Sequence, residues 1–115
     1  MARYTGLFTI STPLEQLRTQ LAQVLESCNL DIVYDTGDYM MAREVPGRVA
    51  FAKLVSVEVL IDRPVEFTEE IRMRFVVKNE ELPLQKDNHC HMMFETVKDA
   101  IANSDCWQLL ENIAG

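Results

Sequence analysis

The sequence predicts a single α+β domain over residues 1–115, in which a curved antiparallel sheet is backed by two helices, in the order strand, helix, four strands, helix. Three observations carry that expectation. An apolar stripe at helical spacing occupies residues 14–28, a second one follows residue 88, and between them lie short alternating runs separated by Gly and Pro turns. Composition agrees with a folded globular chain: 48% of the 115 residues are hydrophobic and 25% charged, with 4 Gly and 4 Pro. That balance excludes a disordered or fibrous chain.

Thr5 to Ser11 alternates Thr5, Leu7 and Thr9 against Phe8 and Ile10, which suits a first strand. Thr12-Pro13-Leu14-Glu15 then reads as a helix start. Thr12 would be the N-cap, Pro13 the first helical residue, and Glu15 would return a hydrogen bond to the cap. Leu14, Leu17, Leu21, Val24, Leu25 and Cys28 follow at helical spacing and need a core to lie against. Asn29 can end that helix in the left-handed region.

Leu30 to Asp35 and Tyr39 to Val45 flank Thr36-Gly37, which suits a two-residue hairpin turn. Pro46-Gly47 turns the chain into a long run, Arg48 to Ile61. Arg63-Pro64-Val65 closes the next turn into Glu66 to Lys78. That strand sets Phe67, Ile71, Met73, Phe75 and Val77 against Thr68, Glu70, Arg72, Arg74 and Lys78. Residues 80–86 read as a loop. Asp87 or Asn88 can cap a second helix with Met93, Phe94, Val97, Ala100 and Ile101 inward, and Ser104-Asp105 interrupts it before a final turn carrying Trp107, Leu110 and Ile113. Short hairpins make the sheet antiparallel. The resulting order resembles the TBP-like arrangement over nearly the whole chain, a likeness of topology alone, since no TATA-binding motif accompanies it.

Charge narrows the partners. Lys and Arg number 11 against 18 Asp and Glu, a net charge of −7, which repels polyanions and weighs against nucleic acid and anionic lipid. Residues 79–115 alone carry Lys86 and Lys98 against seven acids. The longest apolar runs are a few residues, where a membrane helix needs roughly 20. The amino terminus lacks the apolar core of a secretory signal, and three cysteines make no disulfide framework, so a reducing cytoplasm is the expected compartment.

Strand register decides which side chains share a face. With a three-residue turn at Arg63-Pro64-Val65, Val57 lies opposite Ile71, Val55 opposite Met73, Ser56 opposite Arg72 and Leu54 opposite Arg74. Two-residue turns at Pro46-Gly47 and Thr36-Gly37 then place Val33, Met40, Ala42 and Phe51 under the helices. The outer face receives Ile32, Tyr34, Tyr39, Met41, Ala50, Ala52 and Leu54. A sheet packed on one side normally turns polar residues outward, so an aromatic and aliphatic outer face points to an interface. The expected partner is a second copy, through Ile32, Tyr34, Tyr39, Met41 and Leu54, with Arg72 and Arg74 in a charged rim. A bulge would redistribute these faces, and the Trp107 segment would cover the patch if it folded across it.

Chemistry-bearing motifs are sparse. There is no Gly-rich phosphate loop, GxSxG elbow or CxxC, and the reading is a binding module rather than an enzyme, with no cofactor. His89-Cys90-His91, with Asp87, is the one cluster of soft ligands, but His89 and His91 diverge at a helix start and no metal site is assigned. Lys53 and Glu69 fall on the predicted inner face, where charge is costly unless paired. They give an alternative reading, a small-molecule pocket between sheet and helices with Lys53 or Glu69 as polar anchor. Six methionines, paired at Met40-Met41 and Met92-Met93, suit a third reading, an acidic chaperone sheltering an apolar segment of another protein.

Overall fold

The amino-terminal alternation extends further than predicted: strand β1 runs Ala2–Ser11 and buries Ala2, Phe8 and Ile10 on one side. The computed structural model describes residues 1–62, 70–82 and 88–114, apart from the side chains of Leu14 and of residues 111–114. The expected Arg63-Pro64-Val65 turn, Glu69 and Asp87 lie outside the described residues.

Helix α1, Leu14–Glu26, buries the predicted stripe of Leu17, Leu21, Val24 and Leu25, with Cys28 just beyond it. Its start differs from the capping box. Pro13 is the N-cap, extended at ψ 132°, and no side chain bonds the first turn. That extended residue carries Thr12 out of reach of the helix N–H groups, and the buried Thr12 hydroxyl instead meets Gln20 Oε1 at 3.0 Å. The helix exit is as read: Asn29 has φ 65°, and its carbonyl accepts from Val45 N at 3.0 Å.

Strands β2 (Leu30–Asp35) and β3 (Tyr39–Glu44) form the predicted hairpin, but its turn sits one residue later. Thr36 N donates to Tyr39 O, leaving Gly37 and Asp38 as the central pair, with Gly37 at φ 94°. The long run expected over residues 48–61 is broken. Strand β4 is Ser56–Asp62, and residues 45–54 form a connection that turns at Gly47 (φ 122°) and contains a 3₁₀ turn at Phe51–Lys53. Strand β5 is Glu70–Asn79, helix α2 is His89–Ala102, and strand β6 is Gln108–Ala114. This last element replaces the predicted final turn, because the free edge of β1 offers the segment a ladder of backbone partners.

The sheet is antiparallel, with six strands in the order β2-β3-β4-β5-β1-β6. Its β4–β5 register pairs Ser56 with Lys78, Val57 with Val77 and Leu60 with Arg74. The predicted pairs slip by six positions, an even number, so every residue of both strands keeps its predicted face. Val57, Val59 and Ile61 therefore point with Ile71, Met73 and Phe75 toward the helices, and all six are buried.

Ring stacking organises the centre of the core. Phe75 lies between Phe8 and Phe94, with centroids 5.2 Å from each. Gly6, opposite Phe75 in the ladder, leaves room for that ring: a Cβ there would fall 2.6 Å from Phe75 Cζ. Trp107 packs into the core and donates from Nε1 to Ile101 O at 2.9 Å, satisfying a carbonyl at the end of α2. It does not cross the outer face of the sheet.

Candidate functional site

The face of the sheet turned from the helices holds most of the expected surface. Tyr34 pairs with Met41, Tyr39 with Leu60, and Leu60 with Arg74. These residues form one outward patch, in which the Tyr34 and Tyr39 rings meet edge to face at 5.9 Å. Tyr34 is 56% exposed, while Tyr39 and Met41 are half-buried. Arg72 and Arg74 are exposed beside it and carry no ion pair among the described residues. Tyr39 Oη donates to Glu58 Oε1 at 3.0 Å, and Lys78 Nζ reaches the same oxygen at 3.3 Å. Burial, then Glu58 as acceptor and as nearby charge, push the Tyr39 phenol up from its ordinary value.

Two expected members are elsewhere. A bulge between Ile32 and Tyr34 sets Ile32 opposite Ala42, so Ile32 turns inward and packs on the core. The bulged residue, Val33, expected inside, is 50% exposed. Leu54 follows the 3₁₀ turn and lies outside the ladder, and Phe51, also expected inside, is 84% exposed. Leu60, which the expected register omitted, occupies the place assigned to Leu54 and is 45% exposed. Its signal was available in the alternation Val57, Val59, Ile61, which leaves Leu60 outward.

Charge is distributed unevenly between the faces. The outward positions of β1 to β5 hold Arg3, Arg43, Arg72, Arg74 and Lys78, five cations, against Asp31, Glu58, Asp62 and Glu70, four anions. The face thus carries +1, and the chain's −7 puts −8 on everything else.

On the helix side, the three residues of the His-Cys-His run separate. Asn88 Oδ1 caps α2 by accepting from His91 N at 2.6 Å, and Glu81 accepts from Cys90 N at 2.9 Å and His89 N at 3.2 Å. Burial would raise the Glu81 carboxyl; the Asn79 amide, these two N–H groups and Lys53 outweigh it and hold the carboxyl below its ordinary value. Cys90 is buried, and its thiol faces Val77 O at 3.4 Å. Burial first, and then the Glu81 charge, push that thiol up to about 11. His91 lies on the surface, 3.5 Å from Glu95. Among the described residues no three His, Cys, Asp or Glu side chains converge on one point.

His89 turns inward to Glu44, the inward residue after Met40 and Ala42 on β3. Its Nε2 lies 2.8 Å from both carboxylate oxygens, and Glu44 Oε1 also accepts from Val55 N at 3.1 Å. The two side chains are 8% and 2% exposed. An open cleft runs over this pair between the end of α1, the outer side of α2 and residues 45–54, in two overlapping parts of about 620 and 560 Å³. Lys53 lines one part, so its expected place between sheet and helices is corrected: the 3₁₀ turn carries it outward, to the rim. The interlayer space is filled by side chains such as Phe8, Leu17, Leu21 and Phe75.

No helix among the described residues is long and apolar enough to cross a membrane. No protein-family model matches the chain, and no curated protein matches it. Among solved structures, the chain is similar to a conserved protein from Geobacillus kaustophilus, at 12% identity over 92% of this chain and 99% of that one. The TM-score of 0.38 is too low for that likeness to carry a functional argument.

Proposed function

We propose that this chain is a non-enzymatic interaction module that self-associates through the helix-free face of its sheet. The observation behind this reading is the joint exposure of Val33, Tyr34 and Leu60 on that face, at 45–56% each. Such a patch costs free energy while wet, and a two-fold related copy would cover both patches at once. Charge favours the same face: at +1 it is where two copies of a −7 chain meet with the least repulsion. Arg72 and Arg74 remain the proposed rim. Light scattering at about 100 μM tests it, a concentration at which a dimer with micromolar affinity is nearly complete. A dimer mass is expected; a monomer overturns the reading.

A second reading keeps the surface and changes the partner. Met41 and the tyrosines would shelter an apolar segment of another protein, as an assembly chaperone does. A monomer in isolation that returns one recurrent protein in pull-down, lost with Leu60→Lys, favours this reading over self-association. The element order still resembles the TBP-like arrangement, with β6 as an addition, and no function is taken from that resemblance.

A further inference from the structure

The cleft above His89 is independent of the sheet face and has the makings of a ligand site. Its two parts share Val49, His89, Met92 and Thr96, so they form one continuous depression with His89 at its floor. A volume of several hundred Å³, an apolar wall and a few polar groups fixed from behind are what a small-molecule site requires. Val49 and Met93 line the wall with Met92, which is 55% exposed, and methionine adapts its shape to flat or aliphatic bodies.

The polar groups favour an anionic head. Arg48 lines the cleft and makes no hydrogen bond or ion pair among the described residues. Lys53 stands at the opposite end of the cleft. Two of the four acids lining it are engaged by cations, Glu44 by His89 at 2.8 Å and Glu95 by Lys98 at 2.8 Å. Glu26 and Asp99 sit at the two ends. The Glu44 carboxylate accepts the His89 Nε2 proton and fixes the ring at the floor of the cleft. We infer that this cleft binds a small organic carboxylate with an aliphatic or aromatic body, its acid group held by Arg48.

Octanoate, acetate and 1-octanol separate the two parts of that statement, titrated into ¹⁵N-labelled full-length chain and followed by amide chemical shifts. Octanoate should shift Asn29, Val49, Met92 and Thr96 and saturate with a Kd of about 1 mM or tighter, with acetate and octanol each weaker by roughly tenfold or more. Arg48→Ala should weaken octanoate by roughly tenfold and leave octanol unchanged, a guanidinium–carboxylate pair being worth about that much. Because Arg48 is exposed in a connection, the unshifted remainder of the spectrum reports that the fold is kept. Lys53→Ala gives a second variant for the same measurement. Octanoate shifts confined to Tyr34 and Leu60, no shifts at about 5 mM, or wild-type affinity in both variants would each overturn the proposal. A monomeric chain would leave it standing, since the cleft lies away from the sheet face.

Discussion

His89 of α2 and Glu44 of β3 are joined by an imidazole nitrogen 2.8 Å from both carboxylate oxygens, in a place where each side chain is at most 8% exposed. The pair ties the start of α2 to the end of β3 and sets the floor of the cleft. Removing one partner of such a buried pair leaves the other desolvated without compensation, whereas removing both with apolar groups of similar size is far less costly. Glu44→Leu alone is expected to destabilise the fold by about 3–5 kcal/mol, with Glu44→Leu/His89→Leu recovering most of it. Urea titration of the four proteins in the cycle checks this, and additive losses would remove the coupling.

Glu81 is expected to act as a second cap on α2. Glu81→Gln keeps the shape and removes the charge that faces His89 N and Cys90 N, at an expected cost of about 1 kcal/mol. Its carboxyl is held below the ordinary 4.5 in the folded chain. The stabilisation is therefore complete above 4.5 and is lost as pH falls through the lower, folded value. Thermal melts from pH 6 downward should fall less steeply for Glu81→Gln than for the parent chain.

Gly6 faces the Phe75 ring, which stacks on Phe8 and Phe94, so a Cβ at Gly6 must displace a packed ring. Gly6→Ala is expected to cost about 1–3 kcal/mol by overpacking. Gly6→Ala/Phe75→Leu should lose less than the two single changes added together, since the second change opens the space that the first one needs. Equal losses in the single and summed measurements would contradict the packing shown.

Cys90 titrates from 9.0 in the unfolded chain to about 11 in the folded one. The folded state binds its proton more tightly, so stability contributed by the neutral thiol is present below pH 9 and declines as pH rises toward 11. Over that window the parent chain should lose roughly 2 kcal/mol more than Cys90→Ala does. Denaturant melts at pH 8 and pH 10.5 compare the two, and parallel losses would remove the effect.

The outer face gives the last expectation. Leu60→Lys adds a charge at a site 45% exposed, beside Arg74 in the ladder. The change should leave monomer stability within about 0.5 kcal/mol, as surface substitutions do. The proposed dimer should dissociate, with a midpoint shifted by roughly tenfold or more in a sedimentation titration. Ile32→Ala, inward behind the bulge, is expected to behave in the opposite way, lowering stability and sparing assembly.

What the sequence determined by itself is local. The period of 3.6 in Leu17, Leu21, Val24 and Leu25 and the period of 2 in Ile71, Met73, Phe75 and Val77 belong to the chain's own geometry, and both stripes are buried. Asn29 likewise needs only its neighbours to adopt φ 65°. Tyr34, Tyr39 and Met41 face outward even though the hairpin turn moved from Thr36-Gly37 to Gly37-Asp38, because that move changes the pairing by an even step.

Tertiary structure decided everything that depends on a second segment. The bulge that turns Ile32 inward and Val33 outward exists only against β3. The connection of residues 45–54 leaves the ladder where Glu44 closes against Val55, and so carries Leu54 off the face and Lys53 to the cleft. Gln108–Ala114 becomes a strand because β1 has an open edge, and Glu44 tolerates burial because His89 arrives 45 residues later in the chain. Backbone periodicity is written in adjacent residues, whereas register, bulges and charge pairing are settled by free energies between groups that meet only after the chain has folded.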